Sequence, residues 1–167
     1  MVTLAVPRAA IDHPLDGSGF LVSEGEGLLM TACSFGSSKW AHWRDAEPAG
    51  PGDELMILRV SAGRWQDPRA SALDDEVLVA QLLDDLRTTI GLHGEPAATR
   101  VSRYVNALPQ YRPGHLERAA GWKALANAAH PGLFLAGAGY FGLGIPACIT
   151  DATATAALVA ATIGSAP

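Results

Sequence analysis

The stretch Leu133–Ile149, LFLAGAGYFGLGIPACI, decides how the chain is read. An apolar run, Leu133 to Ala136, reads as a short buried strand; the glycine-rich GAGYFGLG of Gly137 to Gly144 follows, and Pro146 opens an alanine-rich helix to about Ile163. Gly137, Gly139 and Gly142 spell GxGxxG between strand and helix, which has the form of a dinucleotide-binding fingerprint. That fingerprint needs a second parallel strand whose acidic residue reaches the ribose about 20 residues further on. The residues after Gly142 read as helix and tail, so the expectation is a single strand, loop and helix rather than a complete Rossmann unit.

Two readings of the loop remain. Glycines without side chains let a flat or charged ligand approach the backbone, and the free N–H groups of a helix start favour anionic atoms. A flavin suits this, because its N1 and C2 carbonyl edge gains negative charge on reduction and donors there stabilise the reduced form. Pro146 has no N–H, so the donors are Leu143, Gly144, Ile145, Ala147 or Cys148. In the other reading the loop is a tight strand-to-helix turn packed against a neighbour.

Upstream, Val2 to Val6 reads as a strand closed by Pro7. Phe20 to Val22 and Leu28 to Cys33 read as a hairpin, Arg44 to Asp53 as a loop and Leu55 to Ser61 as a further strand, together a β-meander. Asp74 and Asp75 precede Leu78, Val79, Leu82, Leu83, Leu86 and Ile90, a helical stripe that stops at Gly91. Ala98 to Asn106 reads as another strand, and Pro113 to Ala129 as a second helix.

The chain has 167 residues, of which 49% are hydrophobic and 17% charged, so it carries enough apolar material for a core and too little charge for disorder. A formal net charge of −5 with scattered cations argues against a nucleic-acid partner. Cys33 and Cys148 have neither CxxC nor zinc spacing, which fits a reducing cytoplasm. The most apolar run, Ala152 to Ile163, falls short of the roughly 20 residues of a membrane span, and the N-terminus lacks secretion-signal character. No transmembrane segment is expected.

Four ordered segments go further. GSGFLV (Gly17 to Val22), TACSFGSSKWAHW (Thr31 to Trp43), NALPQYRPGHLER (Asn106 to Arg118) and PGLFLAGAGYFGLGIPACI (Pro131 to Ile149) together resemble the flavin-dependent protoporphyrinogen and coproporphyrinogen III oxidases of heme biosynthesis. The chain resembles their C-terminal third. The resemblance implies an α+β fold: residues 1–130 form the end of a substrate domain, a β-meander or mixed sheet with two helices. Residues 131–167 supply the final strand, loop and helix of a Rossmann-like FAD-binding domain. It also implies FAD as cofactor, a porphyrinogen as substrate, dioxygen as acceptor and dependence on an N-terminal FAD-binding half.

Residue by residue, Leu143, Gly144 and Ile145 match the flavin-contacting tripeptide of that family, and Tyr104 falls where it commonly has a tryptophan beside the flavin. Ala147 stands where the family pattern GIPDCI has an aspartate, Thr150-Asp151 replaces a Ser-Gly pair, and Phe141 takes a position often basic. Asp151 keeps a negative charge near the helix start. The alternative to a catalytic part is a non-catalytic remnant, or a split-flavoprotein subunit that binds a partner chain or tetrapyrrole.

Single residues have plainer readings. His115 reads as a locally bonded first-turn residue rather than an acid or base, and Cys148 as a buried inert thiol. Lys39, Arg8 and Arg59 could pair with propionates but read as solvated cations. Trp40 and Trp43 could line a tetrapyrrole cavity but read as core, and the pairs Asp74-Asp75 and Asp84-Asp85 as helix-face charges.

Overall fold

The computed structural model describes residues 1–43 and 54–164, so the expected loop Arg44 to Asp53 lies outside the described residues. The chain forms two compact units, Met1–Tyr104 and Val105–Pro167. The first is built on a five-stranded sheet of β1 (Val2–Pro7), β2 (Gly19–Leu21), β3 (Met30–Phe35), β4 (Leu55–Ala62) and β5 (Ala98–Val101). The strand order is β2-β3-β4-β1-β5, and every pair is antiparallel. The expected meander holds for β2, β3 and β4 only. The opening strand β1 sits between β4 and β5, and no parallel pairing makes the sheet mixed.

Alternation along the strands sends one face inward. The register aligns Leu4 with Leu58 and Leu58 with Phe35, and Val2 with Val60 and Val60 with Cys33, so two rows of buried side chains cross the sheet. Two short helices, α1 (Gly36–Lys39) and α2 (Arg69–Ala72), follow β3 and β4, and the long α3 (Asp75–Ile90) covers the rows with buried Leu78, Leu82, Leu83, Leu86 and Ile90. Its ends are set locally. The Asp74 carboxylate accepts the Val77 N–H at 2.8 Å, and Gly91 closes the helix in the left-handed region at φ 64°. A Cβ on Gly91 would lie 2.5 Å from the Asp12 carboxylate, so close approach as well as conformation requires glycine.

The paired aspartates do more than charge a helix face. Asp85 Oδ2 accepts the backbone N–H groups of Leu29 at 2.9 Å and Met30 at 2.8 Å, tying α3 to the start of β3, and Asp75 pairs with Arg103 at 2.7 Å. Only Asp84, exposed and paired with Arg87, keeps the surface role read from sequence.

The second unit contains α4 (His115–Ala129) and α5 (Ile145–Gly164) joined by the glycine loop. Four expectations change, three of them in this unit. Leu133 to Ala136 forms no strand, because a strand needs a ladder partner and this unit holds none among its described residues; Leu133 is 46% exposed. The α4 helix begins after Pro113 and Gly114, the latter at φ 73°, and β5 ends at Val101 rather than Asn106. The last helix runs 20 residues and is, by length and composition, apolar enough to cross a membrane, so the exclusion drawn from a shorter run does not hold. A core helix of a larger soluble body has the same composition.

The units differ in how they bury apolar surface. Every buried hydrophobic residue described lies in the first except Ala119 of α4, and α5 buries none. Replacing the fully buried Leu86 with alanine is expected to lower stability by about 3 kcal/mol, within the range of core leucine truncations, read as a lower urea midpoint with an unchanged slope.

Candidate functional site

The glycine loop bends twice where other residues would be strained: Gly137 sits at φ 110° and Gly142 at φ 80°. A Cβ on Gly142 would meet the Ala147 Cβ at 2.4 Å, so that glycine lets the loop close onto the first turn of α5. Gly137, in contrast, has open space around it and is required by conformation alone.

Side chains from three segments hold this loop. Asp151 Oδ2 accepts the Gly137 N–H at 3.0 Å, and Asp151 Oδ1 accepts from Lys123 Nζ of α4. The Lys123 ammonium also stands 4.7 Å from the centre of the Phe141 ring, a cation–π contact. Tyr111 Oη donates to Ala138 O at 2.6 Å, and His115 Nε2 lies 3.2 Å from Tyr140 O. Tyr111 and His115 stack with ring centres 3.8 Å apart, and Trp122 meets His115 edge-on. His115 therefore serves the loop across 25 residues and is not the locally bonded residue read from sequence.

Asp151 is likewise more than a charge near a helix start. It lies beyond the first turn of α5, which holds no acidic residue, and its side chain is only 9% exposed. The Lys123 ammonium first, and the Gly137 N–H second, hold its carboxyl below the ordinary value of 3.8. With a depressed native pKa, its contribution to stability is fully present above that ordinary value. It is lost as pH falls through the native one.

The loop delivers the chain to the three residues singled out at the start of α5. Leu143 is 48% and Ile145 78% exposed, and Gly144 between them is exposed as well. A helix start leaves its first N–H groups without intrahelical partners. Those of Leu143, Gly144 and Ile145 have no acceptor among the described residues, whereas the Cys148 N–H is bonded to Gly144 O at 2.9 Å and leaves the set of donors. The nearest atom to a Cβ on Gly144 would be Pro146 Cδ at 3.7 Å, so the backbone there is open to a flat group. These residues fit the edge of a flavin ring. Among the described residues there is no complete Rossmann unit to anchor the rest of a dinucleotide.

Beside the loop a cleft of about 660 Å³ opens between Tyr111, Leu116, Phe141, Gly142, Ala147 and Ala154, with Asp151 on its wall. Ala147 and Asp151 are one helical turn apart, on the same face of α5. Tyr104 ends the first unit, 66% exposed, and is not in the unit that brings Leu143, Gly144 and Ile145 together.

The remaining candidates are held locally. Arg8 donates to Ile11 O, Arg59 to Met1 Sδ, and Lys39 lies 4.8 Å over the Trp40 ring. The Trp43 ring lies where a Cβ on Gly36 would be, 2.4 Å away, and packs with Trp40 at 4.8 Å between centres. Sequence reasoning missed Lys123, Tyr111 and Trp122. The available signal was the scarcity of lysine, since Lys123 is one of two in the chain.

The model of the flavin containing amine oxidoreductase family matches residues 1–160. The chain is 32% identical over 153 residues to the coproporphyrinogen III oxidase of Bacillus subtilis, covering 92% of this chain and 31% of that protein. It is 36% identical over 150 residues to the coproporphyrinogen III oxidase of Mycobacterium bovis, covering 89% and 30%. The protoporphyrinogen oxidase of Bos taurus is 27% identical over 152 residues, covering 89% and 31%. A crystal structure from Exiguobacterium sp. 255-15 superposes with a TM-score of 0.71 at 30% identity, covering 96% of this chain and 34% of its own. The chain thus spans about a third of the length of these relatives.

The two thiols separate chemically. Burial pushes the Cys33 thiol up to about 12, whereas Cys148 is half-buried, not fully so as expected, with Sγ 3.6 Å from Gly142 O. A thiol reagent at pH 8 is expected to modify Cys148 and spare Cys33 until denaturant is added; prompt modification of both would contradict the burial of Cys33.

Proposed function

Because the chain belongs to the flavin containing amine oxidoreductase family, we propose that it forms part of an FAD-dependent porphyrinogen oxidase of heme biosynthesis. Coproporphyrinogen III is the first candidate substrate, protoporphyrinogen IX the second, and dioxygen the acceptor. The observation that carries this reading is the row of unaccepted N–H groups at Leu143, Gly144 and Ile145, exposed where a glycine loop meets a helix start. When bound, the flavin supplies the two-electron oxidation. The chain's own residues do the rest of what is proposed here. The three N–H groups face the N1 and C2 carbonyl edge and favour negative charge there, and Gly144 admits the ring to the backbone; for Tyr104, in the other unit, a place beside the ring is carried by the resemblance alone.

On this reading residues 1–130 belong to a substrate domain and 131–167 complete an FAD-binding domain, whose other parts hold the remainder of the cofactor. The apolar side chains of α5, among them Ile149, Leu158 and Ile163, are exposed and are proposed to be covered by those parts rather than by a bilayer. Two free cysteines suit a reducing compartment, and the cytoplasm is the proposed location. The second reading, a remnant or split-flavoprotein subunit without activity of its own, draws on Ala147 and Tyr104, which depart from the family residues at those positions.

The chain purified alone is expected to carry no stoichiometric flavin absorbance. Co-expressed with the remaining N-terminal two thirds of the mycobacterial relative, it is expected to give a flavin-loaded complex that converts coproporphyrinogen III to fluorescent porphyrin. Gly144→Val in that complex is expected to slow conversion by up to about 10²-fold by displacing the ring. A flavin-loaded complex without oxidation supports the second reading; flotation of the chain with lipid vesicles contradicts the proposed cover of α5.

A further inference from the structure

We propose that Asp151 and Lys123 are positioning residues that hold the loop Gly137 to Phe141 and thereby fix the direction of the N–H groups at Leu143, Gly144 and Ile145. The purpose assigned to that donor row rests on the flavin-edge reading above, but the latch itself does not. Among its described residues the second unit fully buries one hydrophobic residue, Ala119, and the apolar residues of the loop are at most partly buried, so apolar packing alone holds the loop weakly. Gly137 at its start and Gly142 just after it occupy positive φ, and glycine backbone left unrestrained samples many conformations.

The carboxylate of Asp151 removes that freedom at the point where the loop begins, by accepting the Gly137 N–H at 3.0 Å. Its second oxygen is occupied by Lys123, and Lys123 in turn lies against the ring of Phe141, two residues before Leu143. One ion pair therefore grips both ends of the turn. Tyr111 and His115 secure the carbonyls between those ends, at Ala138 and Tyr140. The pair is partly buried, with the Asp151 side chain 9% and the Lys123 side chain 24% exposed, so its hydrogen bonds are less screened than those of a fully solvated pair.

The arrangement makes the direction of the donor row depend on a carboxylate 14 residues after Gly137. A purely structural pair would stabilise α4 and α5 without altering order at residues 143–145. A positioning pair must alter both. The charged and polar groups that face Asp151 are Lys123 from α4 and the Gly137 N–H from the loop, with His115 on the neighbouring Tyr140 carbonyl.

The test uses nitrogen-15 spectra of the 167-residue chain and needs no flavin. In Asp151→Asn and in Lys123→Met, amide exchange at Gly137 is expected to rise roughly tenfold or more, the effect of weakening a hydrogen bond to a charged acceptor. The amides of Leu143, Gly144 and Ile145 are expected to lose order on the nanosecond scale, and Lys123→Arg is expected to restore both. If Asp151→Asn does not fold, acidifying the unaltered chain below the ordinary carboxyl range removes the carboxylate charge, and the readouts are then the protection factor at Gly137, expected to fall, and the order of the amides at 143–145. Unchanged exchange at Gly137 overturns the latch. A response at Gly137 with unchanged order at residues 143–145 overturns the positioning role. Failure of the flavin reading appears separately, as a co-expressed complex that takes up no flavin while the latch variants still loosen the loop.

Discussion

The stripe of α3, from Leu78 to Ile90, shares one core with alternate residues of β1 and β4 and with Met30, Cys33 and Phe35 of β3, and burial of that apolar surface is the interaction on which the first unit depends. The second unit has no comparable interface. Its α5 helix buries nothing, and the glycine loop ahead of it is held by an ion pair, a tyrosine hydroxyl and an imidazole. The contrast explains why the two units look so different in chemistry. Where a sheet can be covered, strand alternation and a helical stripe suffice; where apolar cover is lacking, direct polar bonds fix the backbone.

That difference also locates the site. A loop gripped by side chains at Gly137, Ala138, Tyr140 and Phe141 is followed by Leu143, Gly144 and Ile145, exposed and with their N–H groups unaccepted among the described residues. Such groups at a helix start form a fixed positive edge. In a family whose chemistry resides in a flavin, the part proposed for this chain is to hold that edge where charge develops on the ring. Asp151 contributes at one remove, through the loop, one helical turn from Ala147.

Much of the first unit was legible because its signals are local. Asp74, the α3 stripe and Gly91 mark a helix with both ends capped, and the β2–β3 hairpin follows from glycine-rich turns between apolar runs. The place of β1 between β4 and β5 was not legible, since it depends on pairings between residues distant in sequence, from Pro7 with Leu55 to Val2 with Val101, that leave no periodic trace. Leu133 to Ala136 misled for a related reason. Its composition is that of a strand, but a strand is defined by a neighbour, and none is present in its unit among the described residues. The tripeptide at Leu143–Ile145 is singled out by resemblance, and its role is a proposal. The Lys123–Asp151 latch was not legible, because neither residue is unusual until a fold brings α4, α5 and the loop together.

The most direct test of this account follows the amides of Leu143, Gly144 and Ile145 in the nitrogen-15-labelled chain. They would be observed within its complex with the remaining portion of a relative, as flavin is added and then reduced. The account predicts chemical-shift changes concentrated at those three amides, and a further change there on reduction as negative charge grows at the ring edge. Changes confined to the five-stranded unit, with the three amides unmoved, would contradict it.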